Sequence, residues 1–201
     1  MIDMMNDELR QRLLAMAEED QRIRSELAAT GELFKGYHPR MEEVHRRNAQ
    51  ALTDVIAEHG WPGKSLVGAD GAHAAWLVLQ HAIGNPALQR GCLPLLQEAV
   101  TRGEMEPAHA AYLEDRIRSF EGRPQRYGTQ LDWDEEGRMC PLPLEDPDRV
   151  DEYRRAVGLG PLAERVAQSR AGMMNEPRPT PAELQRRRAE MEAWARSVGW
   201  R

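Results

Sequence analysis

His81 is the residue of this chain best suited to acid/base chemistry. It follows Gln80 in an otherwise apolar segment, AHAAWLVLQHA, at residues 72–82. A buried imidazole needs a hydrogen-bonding partner, because burying an unpaired polar group costs a few kcal/mol. With a carboxylate on one ring nitrogen, it can act as a general acid or base near neutral pH. The alternative is a core histidine bonded to a backbone carbonyl. Gln80 points about 100° away from His81 around the helix, so the two side chains face one site only if that site wraps around the helix end.

Asp115 and Arg116 lie on a second segment with helical apolar spacing. The functional hypothesis makes Asp115 the carboxylate that orients His81. Arg116 would then bind a carboxylate or phosphate group through its planar guanidinium. The alternative is a surface or structural ion pair, which contributes little when it is exposed.

The segment after this helix, residues 122–130, has no helical or alternating apolar pattern. Gly128 permits a backbone conformation that other residues avoid, and its neighbours supply hydrogen-bond donors and acceptors. Loops held by a rigid scaffold often carry binding groups. We therefore expect a ligand-contacting loop, with a structural turn as the alternative; its predicted binding residues are Gln125, Tyr127, Thr129 and Gln130.

Asp20 and Asn48 interrupt two apolar helical stripes. Buried polar residues at such positions can fix the register of two packed helices. They can equally line the floor of a pocket, with Gln21 and Arg24 at its rim, and the sequence leaves both alternatives open.

Residue spacing does not predict a metal site. His73 and His81 would lie about 12 Å apart along one helix, too far to bind one ion. An ion would have to recruit His81 with Asp115 and Asp20 from different helices. No metal ligand is therefore predicted, and any cofactor is left unknown.

Helical periodicity and capping signals set the framework that positions these residues. Residues 130–142 read as a short hairpin around Gly137. We predict an all-α fold, a multi-helix antiparallel bundle with one small β-hairpin after the Gln125–Gln130 loop. Residues 1–171 would form the helical domain, 172–181 a proline-containing linker, and 182–201 a helix that docks on its own or a partner domain. The predicted helices span about residues 3–29, 39–58, 71–84, 86–102, 107–120, 147–157, 161–171 and 181–201.

Composition excludes several classes of function. The 201 residues carry a net charge of −6, with 30% charged residues and two cysteines. A basic face for nucleic acid and an apolar run long enough to span a membrane are both missing from the sequence. The N-terminus is acidic where a signal peptide is basic, and the cysteines suit free thiols. We therefore expect a cytoplasmic protein without nucleic-acid or membrane partners.

An ordered series of short motifs resembles a family of uncharacterised bacterial proteins, known as a domain of unknown function. The resemblance covers about residues 10–168 and implies a mostly helical domain without an established activity. The motifs that carry it are AEEDQxxR (17–24), GWPxxSLVG (60–68), AWxxxQHA (75–82), AYLxDR (111–116) and GxPQxYGTQ (122–130).

The leading functional hypothesis is a small-molecule enzyme with a hydrolytic or acid/base step in a polar pocket around His81. Its ligand would be small and polar or anionic. The alternative is a non-catalytic ligand-binding or interaction domain in which the same residues form a structural network. A homodimer through the N- or C-terminal helix is a further expectation.

Overall fold

The computed structural model describes residues 5–34, 36–173 and 178–201. Within these residues it contains eight α-helices, one short 3-10 turn and one two-stranded antiparallel sheet, and 68% of the chain is helical. The prediction of an all-α bundle with a small hairpin is confirmed. The elements are α1 (Asp7–Ala29), α2 (Pro39–His59), α3 (Lys64–His81), α4 (Pro86–Thr101), α5 (Pro107–Phe120), β1 (Leu131–Trp133), β2 (Met139–Pro141), α6 (Val150–Ala156), α7 (Leu162–Gly172) and α8 (Pro181–Ser197).

The chain forms two compact units, Met1–Ala110 and Ala111–Arg201. The predicted grouping of residues 1–171 into one domain stays a prediction. So does the predicted linker, of which residues 174–177 lie outside the described part of the chain.

In the first unit, α1 and α2 follow the predicted apolar stripes. Each helix begins at a capping residue: the Asn6 side chain accepts a hydrogen bond from Leu9 N, and the His38 side chain accepts one from Arg40 N. Such caps satisfy backbone donors that a helix start leaves unpaired. The stripes meet α3 and α4 in a core of fully buried aliphatic side chains that includes Leu13, Leu27, Leu52, Val67, Leu79 and Leu96.

The helix predicted at 71–84 begins earlier and ends earlier, at Lys64 and His81. Gly68 interrupts it with φ +72°, a conformation that favours glycine, and the chain bends there. Asp70, which follows the bend, accepts from Gly71 N at 2.8 Å and also binds Arg10 of α1. The bend therefore divides α3 into a short first part and the predicted central helix.

In the second unit, the hairpin pairs Leu131 with Pro141 and Trp133 with Met139. Leu184 of α8 packs against Trp133 and Met139 in one buried cluster. Thr180 caps α8 through a reciprocal capping box with Glu183. These contacts place α8 on the unit to which it belongs.

Candidate functional site

A buried carboxylate in the first unit lies between two imidazole rings from two other helices. Asp20 of α1 is 1% exposed. Both of its carboxylate oxygens lie 2.9 Å from Nδ1 of His81 at the end of α3. Its Oδ2 also lies 3.1 Å from Nε2 of His45 on α2. We call this group the Asp20 cluster: Asp20, His45 and His81.

Asp20 reaches this place because it occupies an apolar position of the α1 stripe. It lies one turn after Met16 and one turn before Ile23, so it faces the same core as they do. An ionised carboxylate there requires charged or hydrogen-bonding partners. The two imidazoles supply them, together with Gln21 Nε2, which donates to Asp20 Oδ1 at 3.3 Å.

The pKa of Asp20 records the balance between burial and these partners. Burial alone would raise the pKa of the carboxyl, but the close contacts and the charge of His45 and His81 outweigh burial and hold this pKa well below its usual range. Asp20 is therefore an anion at neutral pH.

Tyr37 extends the cluster on the far side of His45. Its hydroxyl and His45 Nδ1 are hydrogen-bonded at 2.8 Å, and the two rings stack. The ring of His45 in turn lies beside that of His81, with centroids 5.3 Å apart. Burial raises the pKa of the Tyr37 phenol above its usual value, so the phenol stays protonated at neutral pH.

Two buried amides hold the helices that carry the cluster. Asn48 of α2 donates to the carbonyl of Met16 on α1 at 3.2 Å, which fixes the register of these helices. Gln89, fully buried, donates to the carbonyls of Leu79 and Gln80 at 2.8 and 3.1 Å. These carbonyls belong to the last turn of α3, where a helix leaves its acceptors unpaired. Gln89 thus fixes the end of α3 and, with it, the position of His81.

The three ligand atoms of the Asp20 cluster all lie within 4.8 Å of one another. Among the residues that the structure describes, this is the one group of three histidine, cysteine or carboxylate side chains with such spacing. Two imidazole nitrogens and a carboxylate oxygen are donors that divalent transition metals accept. The arrangement can hold either a shared proton or a metal ion.

A second histidine pair lies elsewhere in the first unit. His73 Nδ1 is 3.2 Å from His109 Nε2, and Trp76 donates to the His109 carbonyl at 3.0 Å. Burial and the charge of His73 lower the pKa of His109 to about 4. Among the described side chains, no carboxylate joins His73 and His109 to make a group of three possible metal ligands.

Asp115 is fully buried, and its carboxylate holds the loop that follows α5. It accepts backbone N–H groups of Arg126 at 2.7 Å, Tyr127 at 3.1 Å and Thr129 at 3.0 Å, and the Thr129 hydroxyl at 3.0 Å. The sequence hypothesis placed Asp115 on His81. The carboxylate on His81 Nδ1 is instead Asp20.

Gln125 joins the same loop to the residues after β2. It is fully buried, and its amide donates to the carbonyls of Gln130 and Leu142, both at 2.9 Å. Its carbonyl accepts from Gln130 N at 2.9 Å. Both amide hydrogens of Gln125 are therefore bonded within the protein, and Thr129 is 5% exposed. A ligand-binding role for Gln125 and Thr129 stays a prediction.

The remaining predicted site residues divide between the two units. In the first unit, Gln80 is buried on α3, and Arg24 lies exposed on α1. In the second unit, Arg116, Tyr127 and Gln130 are half-buried. A ligand-binding role for these five residues stays a prediction.

Sequence reasoning missed His45 and Tyr37. A signal for His45 was present, because it lies four residues after Met41 and three before Asn48 in the α2 stripe. Tyr37 precedes the helix and has no periodic neighbours, so its sequence position carries no comparable signal.

A groove of about 770 Å³ lies in the second unit, between β2, α6 and α7. Its walls include Pro141, Val150, Leu162 and Val166, with Asp151 and Arg170 as charged members. The groove contains no residue of the Asp20 cluster or of the predicted site.

These features define an all-α protein with a buried histidine–carboxylate cluster at the junction of three helices. The chain belongs to a family of unknown function, DUF6624, which matches residues 7–174. The expected resemblance to an uncharacterised family is thereby confirmed. No curated protein and no solved structure matches the chain. Among the described residues, none of the helices is sufficiently long and apolar to cross a membrane.

Proposed function

We propose that the protein is a small-molecule enzyme that carries out a hydrolytic or proton-transfer step at the Asp20 cluster. The observation that supports this proposal is a carboxylate, 1% exposed, lying within 3.1 Å of two imidazoles from separate helices. A purely structural carboxylate can be satisfied by backbone donors, as Asp115 is. Here the partners are groups that exchange protons near neutral pH.

In the metal-free cluster, His81 is the proposed acid/base group and Asp20 its positioning residue. Contact with Asp20 fixes the orientation of the ring, as carboxylates do beside catalytic histidines. In a hydrolytic step, the imidazole would take a proton from water and return it to the leaving group. The side chain of His81 is 17% exposed and that of His45 10%, so His81 is the more accessible of the two.

The ligand proposed is small and polar or anionic. Arg24 lies four residues after Asp20 and therefore on the same side of α1, one turn away. It is exposed and positively charged, which suits an anionic group at the edge of the cluster.

We include a bacterial, cytoplasmic location in this proposal. Cys92 and Cys140 are both free thiols, as in proteins of reducing compartments. Burial raises the pKa of the Cys92 thiol to about 11, so this cysteine is unreactive at neutral pH. A homodimer stays a prediction.

The proposal is tested by thermal shift against a library of polar and anionic metabolites, with and without a chelator. Wild type is compared with His81→Asn, which keeps a side-chain amide near Nδ1 but cannot titrate. His59→Ala, at an exposed histidine of α2, is the matched control. Compounds that stabilise wild type are then incubated with each protein and followed by mass spectrometry. We expect conversion by wild type and His59→Ala only. If compounds bind but none of the three proteins converts them, the proposal of an enzyme is refuted.

The second candidate is a non-catalytic ligand-binding or protein-interaction domain whose polar residues form a structural network. The internal bonding of Asp115 and Gln125 favours this function for the second unit. It predicts that wild type converts no compound and that His81→Ala unfolds the protein. Conversion by wild type that a folded His81→Asn has lost would exclude it.

A further inference from the structure

We infer that the Asp20 cluster is a binding site for a divalent first-row transition-metal ion, with His45 Nε2, His81 Nδ1 and a carboxylate oxygen of Asp20 as ligands. Two ligands of one zinc ion lie about 3 to 4 Å apart, since each bond is about 2.1 Å long. The observed separations from Asp20 are 2.9 Å to His81 and 3.1 Å to His45. All three donor atoms lie within 4.8 Å of one another, so small shifts of the side chains would give ligand-to-ligand spacing.

The orientation of His45 points to a cation rather than to a hydrogen bond. Its Nε2 lies 3.1 Å from Asp20 Oδ2, but it makes no aligned hydrogen bond to any described residue. The residue is nine-tenths buried, so water does not readily replace the missing partner. A buried nitrogen facing an anionic oxygen without an aligned proton is unfavourable. A metal ion between the two atoms removes that cost.

The outer contacts of the cluster are those of a metal site. Ligating histidines usually donate their second ring N–H to a fixed acceptor, which sets the tautomer. In the tautomer whose Nδ1–H donates to the Tyr37 hydroxyl, 2.8 Å away, Nε2 of His45 keeps its lone pair for the ion. Gln21 donates to the Asp20 carboxylate from outside the cluster. The Asp20 charge offsets half that of a divalent ion.

Two imidazoles and one carboxylate suit zinc, iron(II) and related ions better than magnesium or calcium, which prefer oxygen ligands. Three protein ligands leave a coordination position for water, as in catalytic rather than structural zinc sites. This inference deepens the proposed function. With an ion bound, the hydrolytic version would apply: Asp20, His45 and His81 would hold the ion, which would supply a hydroxide nucleophile from a water that has released its proton to solvent.

Calorimetric titration of the full chain with Zn²⁺ alone, after chelator treatment, tests the inference without a substrate. We expect one equivalent of Zn²⁺ per chain. Asp20→Asn and His45→Gln should each weaken binding by about 100-fold or more, because each removes a ligand. Tyr37→Phe should weaken it by about 10-fold, because it removes only the outer contact.

His73→Ala is the matched control, since it breaks the other histidine pair of the same unit, and it should bind Zn²⁺ as wild type does. Circular dichroism checks folding of each variant. If a ligand variant fails to fold, the Tyr37→Phe result decides. Absence of Zn²⁺ binding by wild type, unchanged binding by a folded Tyr37→Phe, or loss of binding by His73→Ala would each overturn the inference. Such failures leave the metabolite test standing, because that test is also run with a chelator.

Discussion

Replacing Asp115 by asparagine should destabilise the protein strongly. The carboxylate is fully buried and receives four donors: three backbone N–H groups, of Arg126, Tyr127 and Thr129, and the Thr129 hydroxyl. Asparagine keeps the shape but turns one oxygen into an amide that donates. Whichever way the amide is placed, it faces backbone donors that have no other described acceptor at that position.

The magnitude follows from the number of bonds lost. A hydrogen bond to a charged acceptor contributes about 1.5 to 3 kcal/mol. About two of the four bonds fail in Asp115→Asn, and the rest lose their charge. Allowing for partial relaxation of the loop, we expect a loss of about 4 kcal/mol in the free energy of unfolding, within a total of about 5 to 15 kcal/mol for a typical domain. With a urea dependence near 2 kcal/mol per molar, the midpoint should fall by about 2 M.

Urea unfolding followed by circular dichroism measures this change. Asp148→Asn is the control, because Asp148 is exposed in the same unit, and its free energy of unfolding should stay within about 0.5 kcal/mol of wild type. A loss of less than about 1 kcal/mol in Asp115→Asn would refute the structural role. If that variant stays folded and loses metabolite conversion, the catalytic hypothesis for Asp115 stands instead.

Three further predictions concern stability. Because the pKa of Asp20 is lowered in the folded protein, its stabilising contribution is present above the unfolded pKa of about 3.9 and is lost as the pH falls below that value. In urea unfolding below pH of about 3.9, the difference in free energy of unfolding between wild type and Asp20→Asn should therefore shrink by up to about 1.4 kcal/mol per pH unit. Gly128→Ala should lower the free energy of unfolding by about 1 to 2 kcal/mol in the same assay, since φ is +65° and a Cβ would lie 2.8 Å from Leu162. Gly84→Ala is the control, because a Cβ there meets no atom within 4 Å, and its free energy of unfolding should be almost unchanged. Arg154→Met should lower the thermal midpoint by about 5 to 10 °C, because two backbone carbonyls at 2.6 and 2.7 Å lose their donor.

The helices were predictable because their signals are local. Apolar spacing marks α1 and α2, and α8 begins at Thr180 and Pro181, residue types that are typical of a helix start. The beginning of α3 was missed because the turn from Lys64 to Gly68 is too short to show a period. A bend at one glycine then separated it from the segment that the pattern did reveal.

The candidate site was predictable in part. Breaks in apolar stripes marked Asp20 and Asn48, since a polar residue inside a helix interface must have a partner. Which partner it has depends on how helices far apart in sequence align, and periodicity carries no information about that alignment. The pairing of Asp20 with His81, 61 positions later, is therefore a result of the structure.

The two buried aspartates show why the type of partner decides function better than burial does. Asp115 and Asp20 are equally inaccessible. The donors around Asp115 are backbone amides and one hydroxyl, none of which titrates near neutral pH, so their bonds to this carboxylate hold a loop in place. Asp20 faces His45 and His81, whose nitrogens can bind or release a proton and can bind a metal ion in its place. Of these two environments, only that of Asp20 can exchange a proton or bind a metal ion. We therefore expect the chemistry of the described part of this chain at Asp20.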